Sequence, residues 1–115
     1  MWRDDAYLLD ILLAARRVLR FCDGVTRAEF LKNEILQNAV MRPIQIVGEA
    51  ARKISPEFKA AHPEIPWTGM IGLRNKLVHE YFRVDLERVW DVIEADIPPL
   101  VPMIEPLVPP PDPEG

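Results

Sequence analysis

Three residue types that could do chemistry lie close together in Gly72-Leu73-Arg74-Asn75-Lys76-Leu77-Val78-His79-Glu80-Tyr81-Phe82. They are Arg74, Asn75 and His79. A histidine titrates near neutral pH and can move a proton as general base or acid. An arginine can hold a phosphate through two parallel hydrogen bonds and stabilise a developing dianion. An asparagine can orient the imidazole or the scissile group. Together these three suffice for metal-free cleavage of RNA, in which the ribose 2′-hydroxyl attacks the adjacent phosphate. DNA lacks that hydroxyl, so this chemistry is confined to RNA. Short spacings of this kind also arise by chance, and a histidine on a surface helix more often plays a structural or interface part.

Periodicity predicts a long helix beneath these residues, starting at Pro66 and running through Trp67 to about Tyr81. At about 100° per residue, Asn75 and His79 stack on one line, and Met70, Leu73, Leu77 and Tyr81 share one side. Arg74 then lies about 140° from His79. A second copy of the helix across a dimer could close that gap. Arg74, Lys76 and Arg83 against Glu80 make the stretch locally basic in a chain of net charge −4. Lys76 and, from another helix, Arg42 are therefore candidate RNA contacts, with a solvated surface role the alternative for Arg42.

Other elements must position this segment. Apolar residues at 8, 11, 12, 15, 18, 19 and 22 give the helical period to Tyr7–Phe21. Asp23-Gly24 ends that helix, and Thr26 caps a short one over Arg27–Leu31. A second long helix is expected from about Asn33 to Lys53, with Ile35, Ala39, Val40, Val47, Ala51 and Ile54 on its buried side. Pro43 inside it has no N–H for the carbonyl of Ala39, so a kink is expected there. Ser55-Pro56-Glu57 starts a short helix to Ala61. Asp85 caps a fourth main helix over Leu86–Asp96, with Leu86, Val89, Trp90, Ile93 and Ile97 inward. No strand alternation or hairpin signal is visible. The expected fold is all-α, an up-and-down bundle of four main helices plus short ones.

The 115 residues are enough for one domain with its own core. Eight of the 12 prolines fall at or after Pro98, so a helical domain over 1–107 and an extended Pro-rich tail over 108–115 are expected. Pro99, Pro102 and Pro106 should break up the last helix. The net charge of −4 argues against a broad nucleic-acid footprint, though not against a local basic site. The single cysteine, Cys22, excludes a disulfide framework and a cysteine-rich zinc site. No Asp/Glu/His cluster has metal-ligand spacing, so neither metal nor cofactor is expected. No apolar run reaches a membrane span, and no signal-peptide core is evident at the start. A cytoplasmic protein without a membrane partner is the default.

Arg74-Asn75-x-x-x-His79-x-Tyr81 resembles the R-x4-H-x-Y motif of HEPN-domain ribonucleases. More closely, the chain resembles the HepT toxin family, partners of minimal nucleotidyltransferase (MntA-type) antitoxins. Further signposts are Tyr7-Leu8-Leu9-Asp10-Ile11, Gln37-Asn38-Ala39-Val40, Ile46-Val47-Gly48-Glu49-Ala50-Ala51, Pro63-Glu64-Ile65-Pro66-Trp67 and Val84-Asp85-Leu86-x-x-Val89-Trp90. The likeness runs from Arg3 to about Leu100. It implies an all-α homodimer whose motif helices face each other across a cleft. It implies Arg74 and His79 as the catalytic pair, Asn75 in support, and RNA as the substrate. It also implies Tyr81 as the tyrosine to which the antitoxin attaches AMP. Such an adduct would place a bulky anion beside Arg74 and exclude RNA by charge and size. A core aromatic is the other reading of Tyr81, from its place beside Leu77.

The alternative to a ribonuclease toxin is a non-catalytic HEPN module that binds nucleotide or RNA and docks a nucleotidyltransferase. The remaining residues read as structural. Glu49 could pair with Arg74 or assist proton transfer, but buried pairing within the bundle is the simpler role. His62 lies in a loop without a part in the chemistry. Trp67, Trp90 and Cys22 belong to the core.

Overall fold

The computed structural model describes residues 2–79 and 83–110, with the side chains at 2, 74, 78, 79 and 83 left out of the description. Its frame is a pair of 20-residue helices, α1 (Trp2–Phe21) and α3 (Glu34–Lys53), packed along each other. Helix α1 buries Leu8, Ile11, Leu12, Ala15 and Val18, and Cys22 just after its end is buried too, along the stripe its periodicity predicts. Helix α3 answers with Val40, Ile44, Val47 and Ala51. Ile35, expected on that side, is instead 83% exposed. At about 100° per residue it sits some 140° off the line of Val40, whereas Leu36 falls within about 40° of it. Leu36 is the residue that packs against the core. The helix runs on through Pro43, which is buried.

Between these two, Gly24 takes a left-handed turn at φ 71°. Thr26 then caps α2 (Arg27–Lys32) in a reciprocal box: its hydroxyl accepts from Glu29 N–H at 3.2 Å, and the Glu29 carboxylate accepts from Thr26 N–H at 3.0 Å. Hydrogen bonding from the Thr26 backbone N–H first, and from the Thr26 hydroxyl second, holds the Glu29 carboxyl below the usual carboxylate range. Phe30 of α2 is fully buried, its ring 5.2 Å from that of Trp90. After α3, Ser55 caps α4 (Pro56–Ala61) by accepting from Phe58 N–H at 3.2 Å.

The helix expected over 66–81 is divided and shorter. Helix α5 (Trp67–Ile71) ends at Gly72, and α6 (Leu73–Leu77) follows at once. Past Leu77 the chain leaves the helix. Val78–His79 (β1) pairs antiparallel with Arg83–Val84 (β2), Val78 opposite Val84 and His79 opposite Arg83. The Leu77 carbonyl accepts from Asp85 N–H at 3.0 Å. A helix continuing to Tyr81 would have used the N–H four residues on instead. Pairing with the returning strand, a contact absent from local periodicity, wins over helix continuation.

Asp85 caps α7 (Leu86–Asp91), accepting from Arg88 N–H at 3.2 Å. The element continues as a π-helical turn, Val92–Asp96, closed by Ile97 N–H on the Val92 carbonyl at 3.0 Å. Val89, Trp90, Ile93 and Ile97 are buried, as the apolar pattern predicts. The prolines then cut the end of the chain into α8 (Leu100–Ile104) and a single 3-10 turn, Glu105–Leu107. Leu107 and Val108 still lean on the core. Positions 111–115 of the expected tail lie outside the described residues. The architecture is the expected all-α bundle, with one two-residue ladder at the end of α6. No described helix is long and apolar enough to cross a membrane.

Candidate active site

Helix α6 presents the motif. It is five residues long, far below the length at which a helix is stable alone. Two buried leucines anchor it, Leu73 at 2% exposure and Leu77 at 0%. Between them lie Arg74, Asn75 and Lys76, of which Asn75 and Lys76 are exposed. The first turn is tight: the Gly72 carbonyl accepts from both Asn75 N–H (3.1 Å) and Lys76 N–H (3.2 Å).

The platform under α6 is set by α3. A Cβ at Gly48 would lie 2.9 Å from the Met70 carbonyl oxygen, so only glycine lets the α5 backbone come this close to α3. Trp67 locks the start of α5, since its indole N–H donates to the His62 carbonyl at 2.9 Å and the residue is buried. The supports beneath α6 are therefore backbone and core contacts.

Because α6 ends at Leu77, Asn75 and His79 do not stack on one helix. The His79 backbone belongs to the ladder opposite Arg83. Arg74 and His79 thus leave from different elements, one from a helix and one from the strand that follows it. Tyr81, the expected site of modification, lies outside the described residues.

The other candidates are placed apart. Lys76 Nζ is 3.3 Å from Asp96 Oδ2, on the π-helical turn. No sequence signal links these two, which are twenty positions apart. Arg42 is exposed on α3 and its Nη1 is 3.2 Å from Glu49 Oε1. Both border a shallow depression with Tyr7, Asp10 and Lys53 of α1 and α3. Buried pairing of Glu49 is thereby corrected: the carboxylate is exposed, and Arg42, two turns earlier on the same face, is its partner. His62 closes α4, with Nδ1 3.4 Å from Glu64 and its ring 4.4 Å from that of Phe58. Burial raises the Cys22 thiol above its ordinary value, which suits a core residue and not a nucleophile. Among the described residues, no three His, Cys, Asp or Glu side chains gather as a metal site would require.

A bundle of this architecture, presenting an Arg-x4-His segment where a short helix gives way to a short strand, defines a HEPN-type protein. The family model "Ribonuclease HepT-like" matches residues 11–107. The chain belongs to the HepT-like ribonuclease family, and endoribonuclease is its class of activity. It is 38% identical over 100 residues to "Putative RNase MJ1380" of Methanocaldococcus jannaschii, covering 87% of this chain and 92% of that one. It is 41% identical over 101 residues to "Probable ribonuclease HepT" of Thermococcus cleftensis, covering 88% and 92%. No solved structure matches it.

Proposed function

We propose that the protein is a metal-independent endoribonuclease toxin acting as a homodimer, with Arg74 and His79 of both protomers lining one cleft. The observation that carries this reading is the complete Arg74-Asn75-x-x-x-His79-x-Tyr81 segment within a chain of this family. The ribose 2′-oxygen attacks the adjacent phosphorus and the bond to the 5′-oxygen breaks. One His79 takes the 2′-hydroxyl proton and the other gives a proton to the departing 5′-oxygen. The products are a 2′,3′-cyclic phosphate and a 5′-hydroxyl. Arg74 stabilises the charge that grows on the non-bridging oxygens, and Asn75 orients the imidazole. The nucleophile comes from the substrate itself, so no metal-bound water is needed. Helix α6 suits this use, because Leu73 and Leu77 face the core while Asn75 and Lys76 stand exposed.

The regulatory half of the reading follows from Tyr81, two residues after His79. A MntA-type nucleotidyltransferase would move AMP from ATP to the tyrosine oxygen, with pyrophosphate leaving. The adduct's phosphate would then compete with RNA for Arg74.

The test is incubation of unmodified protein with total RNA in excess EDTA, beside His79→Ala and Arg74→Ala. Wild type should cut and leave cyclic phosphate ends, and each variant should lose about 10²-fold or more. A folded, unmodified wild-type dimer that cuts nothing would establish the non-catalytic binding module instead.

A further inference from the structure

Helices α5, α6 and α8 and the π-helical turn line a half-open cavity of about 240 Å³ on the flank of α6 that Leu73 and Lys76 face. Its floor is apolar, made by Met70, Leu73, Leu100 and Met103. The Lys76–Asp96 pair stands at its edge, the two side chains 44% and 39% exposed. An apolar cavity of about 150 Å³ takes a benzene ring. The volume here fits one fused two-ring system and is small for a larger organic ligand. The walls suit a flat ring: two flexible methionine side chains adapt to an aromatic face, and their sulfurs favour it. The edge suits a ring carrying hydrogen-bond donors beside an acceptor. A carboxylate has about four lone-pair sites, so Asp96 can keep Lys76 and still accept two N–H bonds.

We propose that this cavity is a nucleobase subsite, which holds one base of the RNA near the scissile phosphate and prefers guanine. The proposal rests on RNA being the substrate. Guanine carries two adjacent N–H donors on one edge, next to a carbonyl. The donors match the two oxygens of Asp96, and the carbonyl matches the ammonium of Lys76. Uracil and cytosine have one ring and leave part of the volume empty. Adenine has no carbonyl for Lys76. The position fits the task, because Lys76 is two residues from Arg74 on one short helix, and α6 is only about 10–12 Å across.

Gly69 makes the idea testable without damage to the fold. It lies at the cavity in α5, exposed, and a Cβ there would meet only the Pro66 Cβ, at an ordinary 3.8 Å. Gly69→Leu therefore fills the space with a residue that a helix prefers to glycine.

The experiment is a titration of the full chain, with methionine methyls carrying ¹³C, by GMP, AMP, CMP and UMP. Cleavage sites on an RNA of mixed sequence are mapped in parallel. GMP at millimolar concentration should shift the Met70 and Met103 methyls and saturate, with UMP about tenfold weaker. Gly69→Leu should abolish the shift, and Asp96→Asn should weaken GMP about tenfold. Wild type should favour sites beside guanine, and Gly69→Leu should cut without that preference. Methyls that ignore GMP, or a shift that survives Gly69→Leu, overturn the subsite while RNA cleavage leaves the catalytic reading intact. Methyls that respond to protein concentration and not to nucleotide would show a second copy over the cavity, which also overturns it. A GMP shift lost in Gly69→Leu, in a protein that cuts no RNA, would support the subsite and sink the catalytic reading.

Discussion

At the scale of single residues, the site depends on what holds α6 more than on α6 itself. Gly48 is the clearest case. Adding one methyl there puts a carbon 2.9 Å from the Met70 carbonyl, and that neighbour is backbone. Gly48→Ala should gain about 1 kcal/mol of helix propensity and lose about 1–3 kcal/mol to overpacking. The net expectation is a protein less stable by about 1 kcal/mol, measured by urea denaturation. A variant more stable than wild type would mean that α5 can move away freely. Leu77 belongs to the same argument. It is fully buried, and Leu77→Ala should cost about 2–5 kcal/mol by leaving a cavity under the motif.

At the scale of elements, one buried carboxylate ties α1 to the corner between α3 and α4. Asp4 is 3% exposed and accepts from Ser55 N–H at 2.8 Å and Ser55 Oγ–H at 2.7 Å. Burial alone would raise the Asp4 carboxyl. The two Ser55 bonds and the positive charge of Lys59 outweigh it and hold the group below its ordinary value. A carboxyl lowered in the folded state stabilises the fold above its unfolded value, near pH 4, and loses that contribution as pH falls through the folded value. Asp4→Asn should therefore cost about 1–3 kcal/mol at neutral pH. The gap between variant and wild type should narrow below about pH 4. Denaturation curves at several pH values check this, and a gap that widens on acidification contradicts it. The ion pairs of Arg16 with Glu105 and of Arg27 with Glu87 and Asp91 are exposed and contribute little by comparison.

At the scale of the whole molecule, the proposed chemistry needs two histidines, and each chain supplies only His79 at the motif. Cleavage per protomer should fall on dilution in step with the dimer fraction seen by sedimentation. Constant activity through dissociation would contradict a shared cleft.

How much of this could be read from residue order differs by element. The α1 stripe, the Thr26, Ser55 and Asp85 caps, the turn at Gly24 and the burial of Trp67 and Trp90 all follow from local pattern. Each depends on neighbours within a turn or two, where periodicity and capping chemistry act. Ile35 has the hydrophobicity of a core residue but the wrong phase for the α3 stripe, which passes through Leu36. The motif segment also departed from its local reading. Residues 73–81 have a helical apolar period, yet α6 stops at Leu77 because its last carbonyl meets Asp85 N–H, eight residues on. Periodicity does not see such a partner. The order of residues alone determined the class of fold and the family, and it named the candidate reactive groups, since side-chain type and near spacing carry these. Only the tertiary structure decided that Arg74 and His79 leave from different elements, that Glu49 is exposed beside Arg42, and that Lys76 meets Asp96 over a cavity. Those facts rest on contacts between distant segments, which exist only once the core has brought them together.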